Sequence, residues 1–463
     1  MFIDYSDGIV KKYSYRSLIK FSKHLKEKVG KRNLILLLAE NNVASIFAYI
    51  SCLLTKNVVI LISGEDITSQ LINRILEIYH PNYIWCKDTF KEVFAHHKIL
   101  INAFGYVLVS EGKSINVMNE ELALLIPTSG STGTSKMVKL SYQNLYSNTR
   151  DICQYLGIVK EDVALTVLPI YYVYGLSIIN THIWKRAKIV ITKDSVISER
   201  FWHIVAHEEV TSLSGVPFTY EMFLRCGIEK RDLSSIRYFT QAGGRLNIDV
   251  QKYIAKFCKE NEIDFYVMYG QSEATARMSY ILITKHEEKM GSVGKAIPNG
   301  KISVCDEEGR RIEEKYKEGE IVYEGENVFM GYAIDDSDLA EEDKSHGVLH
   351  TGDMGYLDKD NDLYITGRKS RFIKIYGKRV SLDEIQMSIE NHMLVKKCVC
   401  IQENDQLYIF VRQERGQEEK IASFLWEKYR IWKEQLSFIV VEEFPYNKYG
   451  KIQYSKLERG LKL

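Results

Sequence analysis

Leu122-Ala123-Leu124-Leu125-Ile126 leads into Pro127-Thr128-Ser129-Gly130-Ser131-Thr132-Gly133-Thr134-Ser135-Lys136. The first five residues form a short apolar run of the kind that makes a buried strand. After Pro127 the rest is glycine, serine and threonine, closed by one lysine. Glycines let backbone N–H groups approach an anion and adopt positive φ. The hydroxyls add donors, and the lysine adds a compact positive charge. The stretch therefore predicts a strand followed by a phosphate-cradling loop. Its spacing is not G-x-x-x-x-G-K-[ST], which excludes the P-loop NTPase type.

Outward from this loop, strand and helix signals alternate. Ser141 is a candidate N-cap for the next helix and Gly157 its stop. Val163–Leu168, Lys188–Ile191, Ile236–Thr240 and Phe265–Met268 read as strands, and Asp249–Glu260 as a helix. This order predicts an α/β fold with largely parallel sheets, its site residues at the carboxyl ends of the strands. Near residues 366–370 the texture turns charged and glycine-rich. Beyond lies a compact α+β pattern: helix Leu382–His392, strands Cys398–Gln402 and Leu407–Arg412, helix Glu418–Leu436 and strand Phe438–Val441. The expected division is a large domain over 1–369 and a small lid domain over 370–463, with a hinge near Ser370.

Composition narrows the partners. The chain has 463 residues and a net charge of +1. Such a balance argues against nucleic acid or an acidic membrane and for small molecules or one protein. Eight cysteines are scattered, with no zinc spacing and no disulfide framework. No signal peptide is evident, so a cytoplasmic protein is expected. Cys398 and Cys400 would face one side of a strand, as core thiols rather than metal ligands. His203 and His207, four apart, read as one helix face rather than a metal pair, because no third ligand follows. The apolar stretch Ile46–Ser63 contains Lys56 and Asn57, so it reads as a core helix and a strand rather than a membrane span.

Further motifs follow in order: Leu168-Pro169-Ile170-Tyr171-Tyr172-Val173-Tyr174-Gly175-Leu176, Tyr269-Gly270-Gln271-Ser272-Glu273, Gly319-Glu320 through Gly331-Tyr332, and Thr351-Gly352-Asp353. Gly367-Arg368 then opens a segment through Ile373-Lys374 and Gly377 to Glu384, and Pro445 precedes Gly450-Lys451. With the opening loop, this series resembles the acyl-adenylate-forming enzymes over nearly the whole chain. That group includes acyl-CoA synthetases, aryl-CoA ligases and stand-alone adenylation domains.

The resemblance implies a role for each motif. Thr128, Ser129, Gly130, Ser131, Thr132, Gly133 and Lys136 would hold the ATP phosphates. Glu273, with Thr132, would bind Mg²⁺. Gly243 and Gly244 would lie beside the adenine, with Tyr269, Gly270 and Ser272 close by. Asp353 would accept from the ribose hydroxyls, and Arg368 would contact ribose or phosphate. Tyr172 and Gly175 would line the acyl and thiol path. Lys451 would be the adenylation catalyst, carried by a lid that pivots at Ser370 and brings Gly377 to the pantetheine arm.

Some positions depart from the family's pattern. Tyr172 stands where many relatives have histidine, Arg245 replaces a small residue, Ser370 replaces an aspartate, and Tyr454 stands where a basic residue is common. The family's α-amino-acid-activating members carry an aspartate in this region, and none stands from Leu168 to Ser177, so the resemblance implies an acid other than an α-amino acid. The expected activity is ATP-dependent ligation of a carboxylic acid to CoA through an acyl-AMP. One alternative loads a carrier protein's phosphopantetheine; another, of a different class, is a non-catalytic nucleotide-binding regulator. A kinase or ATPase is disfavoured, since neither signature is present.

Overall fold

The computed structural model describes residues 1–65, 67–94, 96–112, 117–127, 136–375, 378–392, 395, 397–403, 406–412, 416–446 and 452–461. The chain divides into two compact units. One comprises Met1–Met290, Gly294–Lys301 and Glu324–Leu349; the other comprises Gly291–Val293, Ile302–Tyr323 and His350–Leu463. No helix among the described residues is long and apolar enough to cross a membrane.

The first unit is built on two sheets. Leu34–Ala39 is buried at every position, and Val58–Ser63 and Leu122–Pro127 at every position but the last. Continuous apolar runs of this kind suit strands covered on both faces. With Tyr83–Lys87 they form the parallel centre of an eight-stranded sheet, whose outer strands are antiparallel. In the nine-stranded sheet, Asp264–Tyr269, Tyr238–Gln241, Ser212–Gly215, Val163–Thr166, Lys188–Ile191 and Phe2–Asp4 run parallel. Antiparallel strands flank them at both edges. The expected α/β architecture is thus the observed one.

Local signals act as read. Ser141 caps the helix Tyr142–Tyr155 in a reciprocal box with Asn144, and Gly157 follows its end at φ 59°. The stretch Ile46–Ser63 lies in a helix, Val43–Leu54, and the strand Val58–Ser63. Lys56 at φ 59° makes the turn between them. An unexpected strand, Met137–Ser141, intervenes before the capped helix.

The second unit holds most of a four-stranded sheet, Lys301–Cys305, Gly319–Glu324, Val348–Leu357 and Leu363–Arg368. Beyond it come the hairpin Phe372–Ile375 with Lys378–Ser381, and a three-stranded sheet of Cys398–Glu403, Gln406–Arg412 and Leu436–Val441. Ile385 and Ile389 from the helix Leu382–Asn391 pack with Ile409, Leu425, Cys398 and Cys400. Both thiols therefore point into the core, as the C-x-C spacing implies.

One expectation is corrected here. The helix expected over Glu418–Leu436 ends at Tyr429, and Arg430 turns left-handed at φ 60°. Ile431 then drops into the core fully buried, and Leu436 opens the last strand. Ile431 and Leu436 thus reach the core from a turn and a strand rather than from a continued helix. A final helix, Tyr454–Leu461, was also not anticipated.

Candidate active site

The strand Asp264–Tyr269 ends in a sharp turn. A Cβ on Gly270 would lie 1.7 Å from the Ala276 carbonyl oxygen, so only glycine fits. A 3-10 turn, Ser272–Ala274, carries Glu273. Thr275 and Ala276 follow at φ 61° and 146°, two non-glycine residues in succession in a costly region.

Surrounding bonds hold this turn. Asn327 Nδ2 donates to the carbonyls of Ala274 (2.8 Å) and Arg277 (2.9 Å), and Asn148 Nδ2 donates to Arg277 O (3.0 Å). Thr275 Oγ1 donates to Asn327 O at 2.6 Å, and Phe329 N donates to Glu273 O at 2.9 Å. Glu273 is therefore presented by a rigid, over-determined loop.

Its carboxylate meets Tyr332, which closes the Gly319-Glu320 to Gly331-Tyr332 motif but to which the sequence assigns no role. Tyr332 Oη donates to Glu273 Oε1 at 3.0 Å. Burial, followed by the charge of Glu273, pushes the Tyr332 phenol above its ordinary range, so it remains a donor at neutral pH. Tyr332 lies in the strand Gly331–Ala333, paired opposite Val138. Exposed Lys136 places its Nζ 3.4 Å from the Tyr332 ring centroid. The Tyr332 ring thus holds a cation over its face and a carboxylate at its hydroxyl. Glu273 is half-buried, and its Oε2 makes no hydrogen bond among the described residues. A hard oxygen with a free lone pair fits a magnesium ion. Thr128, Ser129, Gly130, Ser131, Thr132 and Gly133 lie outside the described residues.

A second group gathers Tyr172, Gly175, Gly243 and Gly244. Tyr172 precedes the helix Val173–Trp184, and a Cβ on Gly175 would lie 2.2 Å from Pro169 O. Gly243 stands at φ 85°, and its Cβ would lie 2.5 Å from Tyr172 Oη. Gln241 Nε2 ties the loop by donating to Gly244 O at 2.8 Å. Burial pushes the Tyr172 phenol up to about 12. The tyrosine that departs from the family's histidine is thus a neutral wall pressed against Gly243. Nearby in sequence, Tyr269 and Ser272 are buried.

In the second unit, Asp353 and Arg368 face each other across antiparallel strands, with Arg368 Nε 3.2 Å from Asp353 Oδ1. Asp353 is buried and Arg368 exposed. Ser370 is exposed and makes no hydrogen bond among the described residues. Its neighbours are held firmly. Lys369 N donates to Gly352 O at 2.8 Å, and Lys369 Nζ lies 2.7 Å from Glu320 Oε2. Arg371 pairs with Asp383 and donates to Tyr454 Oη and Cys400 O, both at 2.8 Å. Tyr454 thus anchors the residue after Ser370. Gly377 and Lys451 lie outside the described residues. His203 and His207 occupy an exposed face of the helix Glu199–His207.

A family described as "AMP-binding enzyme" matches residues 11–333. The chain is similar to the 2-succinylbenzoate–CoA ligase of Bacillus cereus strain Q1, with 28% identity over 348 residues, 73% of this chain and 70% of that protein. It is also similar to the enzyme of that name from Bacillus subtilis strain 168, with 23% identity across 97% of this chain and 93% of that one. Among solved structures, the o-succinylbenzoate CoA synthetase MenE of Bacillus subtilis, bound to its acyl-adenylate OSB-AMP, matches with a TM-score of 0.78 and 21% identity, covering 98% of this chain and 95% of that one. ATP-bound MatB from Rhodopseudomonas palustris matches with a TM-score of 0.80 and 20% identity, covering 99% and 95%. These structures share the fold.

Proposed function

The chain belongs to the AMP-binding enzyme family, and from that premise we propose that it is an AMP-forming carboxylic acid–CoA ligase. The acid's carboxylate oxygen attacks the α-phosphorus of ATP, and pyrophosphate leaves. The thiol of CoA then attacks the acyl carbon, and AMP leaves. The grouping of Lys136, Tyr332 and Glu273 carries this reading. It puts a cation over the face of one ring and a carboxylate at that ring's hydroxyl, with Lys136 next in sequence to a stretch rich in anion donors.

In this scheme Ser129 to Gly133 and Lys136 hold the β- and γ-phosphates. Glu273, with Thr132, holds the magnesium ion, which when bound neutralises phosphate charge. Asp353 accepts from the ribose hydroxyls, because a carboxylate can take both donors of a vicinal diol. Lys451 stabilises the charge that moves between carboxylate and α-phosphate. We place the lid boundary at Ser370 and assign Gly377 to the path of the thiol. CoA is favoured over a carrier protein because the similar curated proteins are named CoA ligases. We also place the enzyme in the cytoplasm, where eight free thiols stay reduced.

The test is carboxylate-dependent ATP–pyrophosphate exchange with Mg²⁺ across a panel of acids, with Lys451→Ala as control. Exchange with one acid class, lost in the variant, supports adenylation; CoA and a phosphopantetheinylated carrier are then compared as acceptors. A protein that binds Mg-ATP yet exchanges pyrophosphate with no acid would favour the non-catalytic alternative.

A further inference from the structure

The eight-stranded sheet of the first unit reverses direction at its centre. From Leu34–Ala39 the chain moves to Val58–Ser63 on one side, then to Tyr83–Lys87 on the other. The connecting helices, Val43–Leu54 and Ser69–Tyr79, thus leave in opposite directions. Such a reversal opens a crevice at the carboxyl ends of Leu34–Ala39 and Tyr83–Lys87, where open α/β sheets bind ligands. The nine-stranded sheet has the same reversal, with Val163–Thr166 between Lys188–Ile191 and Ser212–Gly215. There the carboxyl ends lead to Tyr172 and Val216, which both border Gly243 of the candidate active site. No step of the ligase scheme uses the crevice of the eight-stranded sheet.

That crevice holds a cavity of about 230 Å³, bordered by Asn42, Lys87 and Asp88. One water needs roughly 10–15 Å³ and drug-sized sites run to about 300–1,000 Å³, so the space suits a small metabolite and not a nucleotide. Asp4 also borders it, 3% exposed and with both oxygens committed. Its Oδ1 accepts from Ser6 N at 2.9 Å and its Oδ2 from Val43 N at 2.8 Å. The helix Val43–Leu54 thus already has an anion at its N-terminus, which disfavours a phosphate there.

Two other segments of the lining are charged. The hairpin of Phe2–Asp4 and Lys11–Tyr13 supplies Asp7 and Lys11, paired at 2.9 Å with both side chains about half exposed. The end of Tyr83–Lys87 supplies Lys87, 3.2 Å from Glu40 Oε1, with Asp88 beside it. Pairs this exposed add little to folding, so they exchange partners at little cost. The lining is completed by aromatic rings. Tyr13 and Phe104 meet edge to face at 5.5 Å, and Tyr106 is held by Asn42 Nδ2 at 3.0 Å.

We propose that this cavity binds a free α-amino acid with an apolar side chain, at a site separate from the catalytic one. A lone anion would face Asp7 and Asp88, and a lone cation would face Lys11 and Lys87. Adjacent ammonium and carboxylate groups instead meet partners of both signs. The carboxylate meets the lysines, the ammonium meets the aspartates, and the side chain lies on the aromatic rings. The amino acid is held and not consumed. The site does not depend on the ligase reading.

The experiment titrates the full chain by calorimetry with L-phenylalanine, phenethylamine and 3-phenylpropionate, and with L-leucine, isopentylamine and 4-methylpentanoate. Each amine or acid keeps one of its amino acid's two charges. A ligand of about nine to twelve heavy atoms reaches a Kd of a few millimolar or tighter, so titration runs to about 10 mM. At least one amino acid binds one-to-one, and its two single-charge analogues bind about 10- to 150-fold more weakly, the worth of one charge-assisted hydrogen bond. Asp7→Asn combined with Lys11→Met weakens the amino acid about tenfold or more and leaves the unfolding temperature within about 4 °C. Lys87→Met, on the other segment, weakens it comparably. Absence of saturable binding, an analogue as tight as its amino acid, or undiminished binding by both variants overturns the proposal. Amino-acid-dependent pyrophosphate exchange that is unchanged in the double variant puts the amino acid in the catalytic site, which overturns the proposal and leaves the ligase reading standing. No exchange with any acid, together with the expected binding, removes the ligase reading and supports this site.

Discussion

Tyr332→Phe removes one oxygen atom and isolates its bond to Glu273. That oxygen donates at 3.0 Å to a half-buried carboxylate. A hydrogen bond to a charged group is worth about 1.5–3 kcal/mol, and partial exposure favours the lower end. Each 1.36 kcal/mol is about a factor of ten in rate, so kcat/KM for exchange falls by about 10- to 30-fold. The phenylalanine ring still faces Lys136, whose cation–π contact of about 0.5–1 kcal/mol survives. Tyr332→Ala loses that contact too and falls a further factor of about 2–5. The assay is pyrophosphate exchange at saturating ATP over a range of Mg²⁺, repeated in a Glu273→Gln background. If the hydroxyl acts through Glu273, Tyr332→Phe has little further effect there. A Tyr332→Phe enzyme within twofold of wild type, or an equal loss in both backgrounds, would refute this reasoning.

Four further outcomes are expected. Lys451→Ala abolishes acyl-AMP formation but spares thioester formation from supplied acyl-AMP; equal loss of both would remove its assigned role. Gly243→Ala forces alanine into φ 85° and its Cβ onto Tyr172 Oη, so thermal unfolding reads a loss of about 1–2 kcal/mol from backbone strain plus the clash. Adding Tyr172→Phe recovers the clash and not the strain, and an unaltered double variant would count against that contact. Ser370→Pro stiffens the pivot and slows thioester formation more than adenylation; unchanged thioester kinetics speak against a hinge there. Seven of the eight cysteines are buried, and burial pushes the Cys52, Cys86 and Cys153 thiols up to about 12. At pH 8 they are protonated and shielded, so a thiol reagent modifies half-exposed Cys226 quickly and the rest only after denaturation. Fast reaction at three or more sites would contradict the described burial.

Elements whose signals are local were legible in the sequence. Lys188–Ile191 is a strand residue for residue, and Ser141 is the cap it was read to be. Sheet order was not legible, because Phe2–Asp4 pairs with a strand beginning at residue 188 and no local pattern carries that. Met137–Ser141 hid behind Lys139, a lysine at a fully buried position. Its Nζ donates to Asp338 O at 2.6 Å and lies 3.6 Å from Glu341, partners supplied from far along the chain. At the site, Glu273 stood out because its motif is contiguous. Tyr332 stood in a motif too, but its bond to Glu273 was not legible, because the two are 59 positions apart.

The anchoring on either side of Ser370 bears on how many states a pivot there can have. With Lys369 and Arg371 each held by several bonds, a pivot there would have to open the turn that Arg371 N closes on Arg368 O at 3.0 Å and would then work mainly through one residue's φ and ψ. For serine that map has a few separated basins and forbidden ground between them. A rotation confined to it moves in jumps, like an indexed dial, and does not drift. Two chemically distinct half-reactions need such discreteness. Glycine at the same place would open extra basins and spread the population among positions that serve neither step.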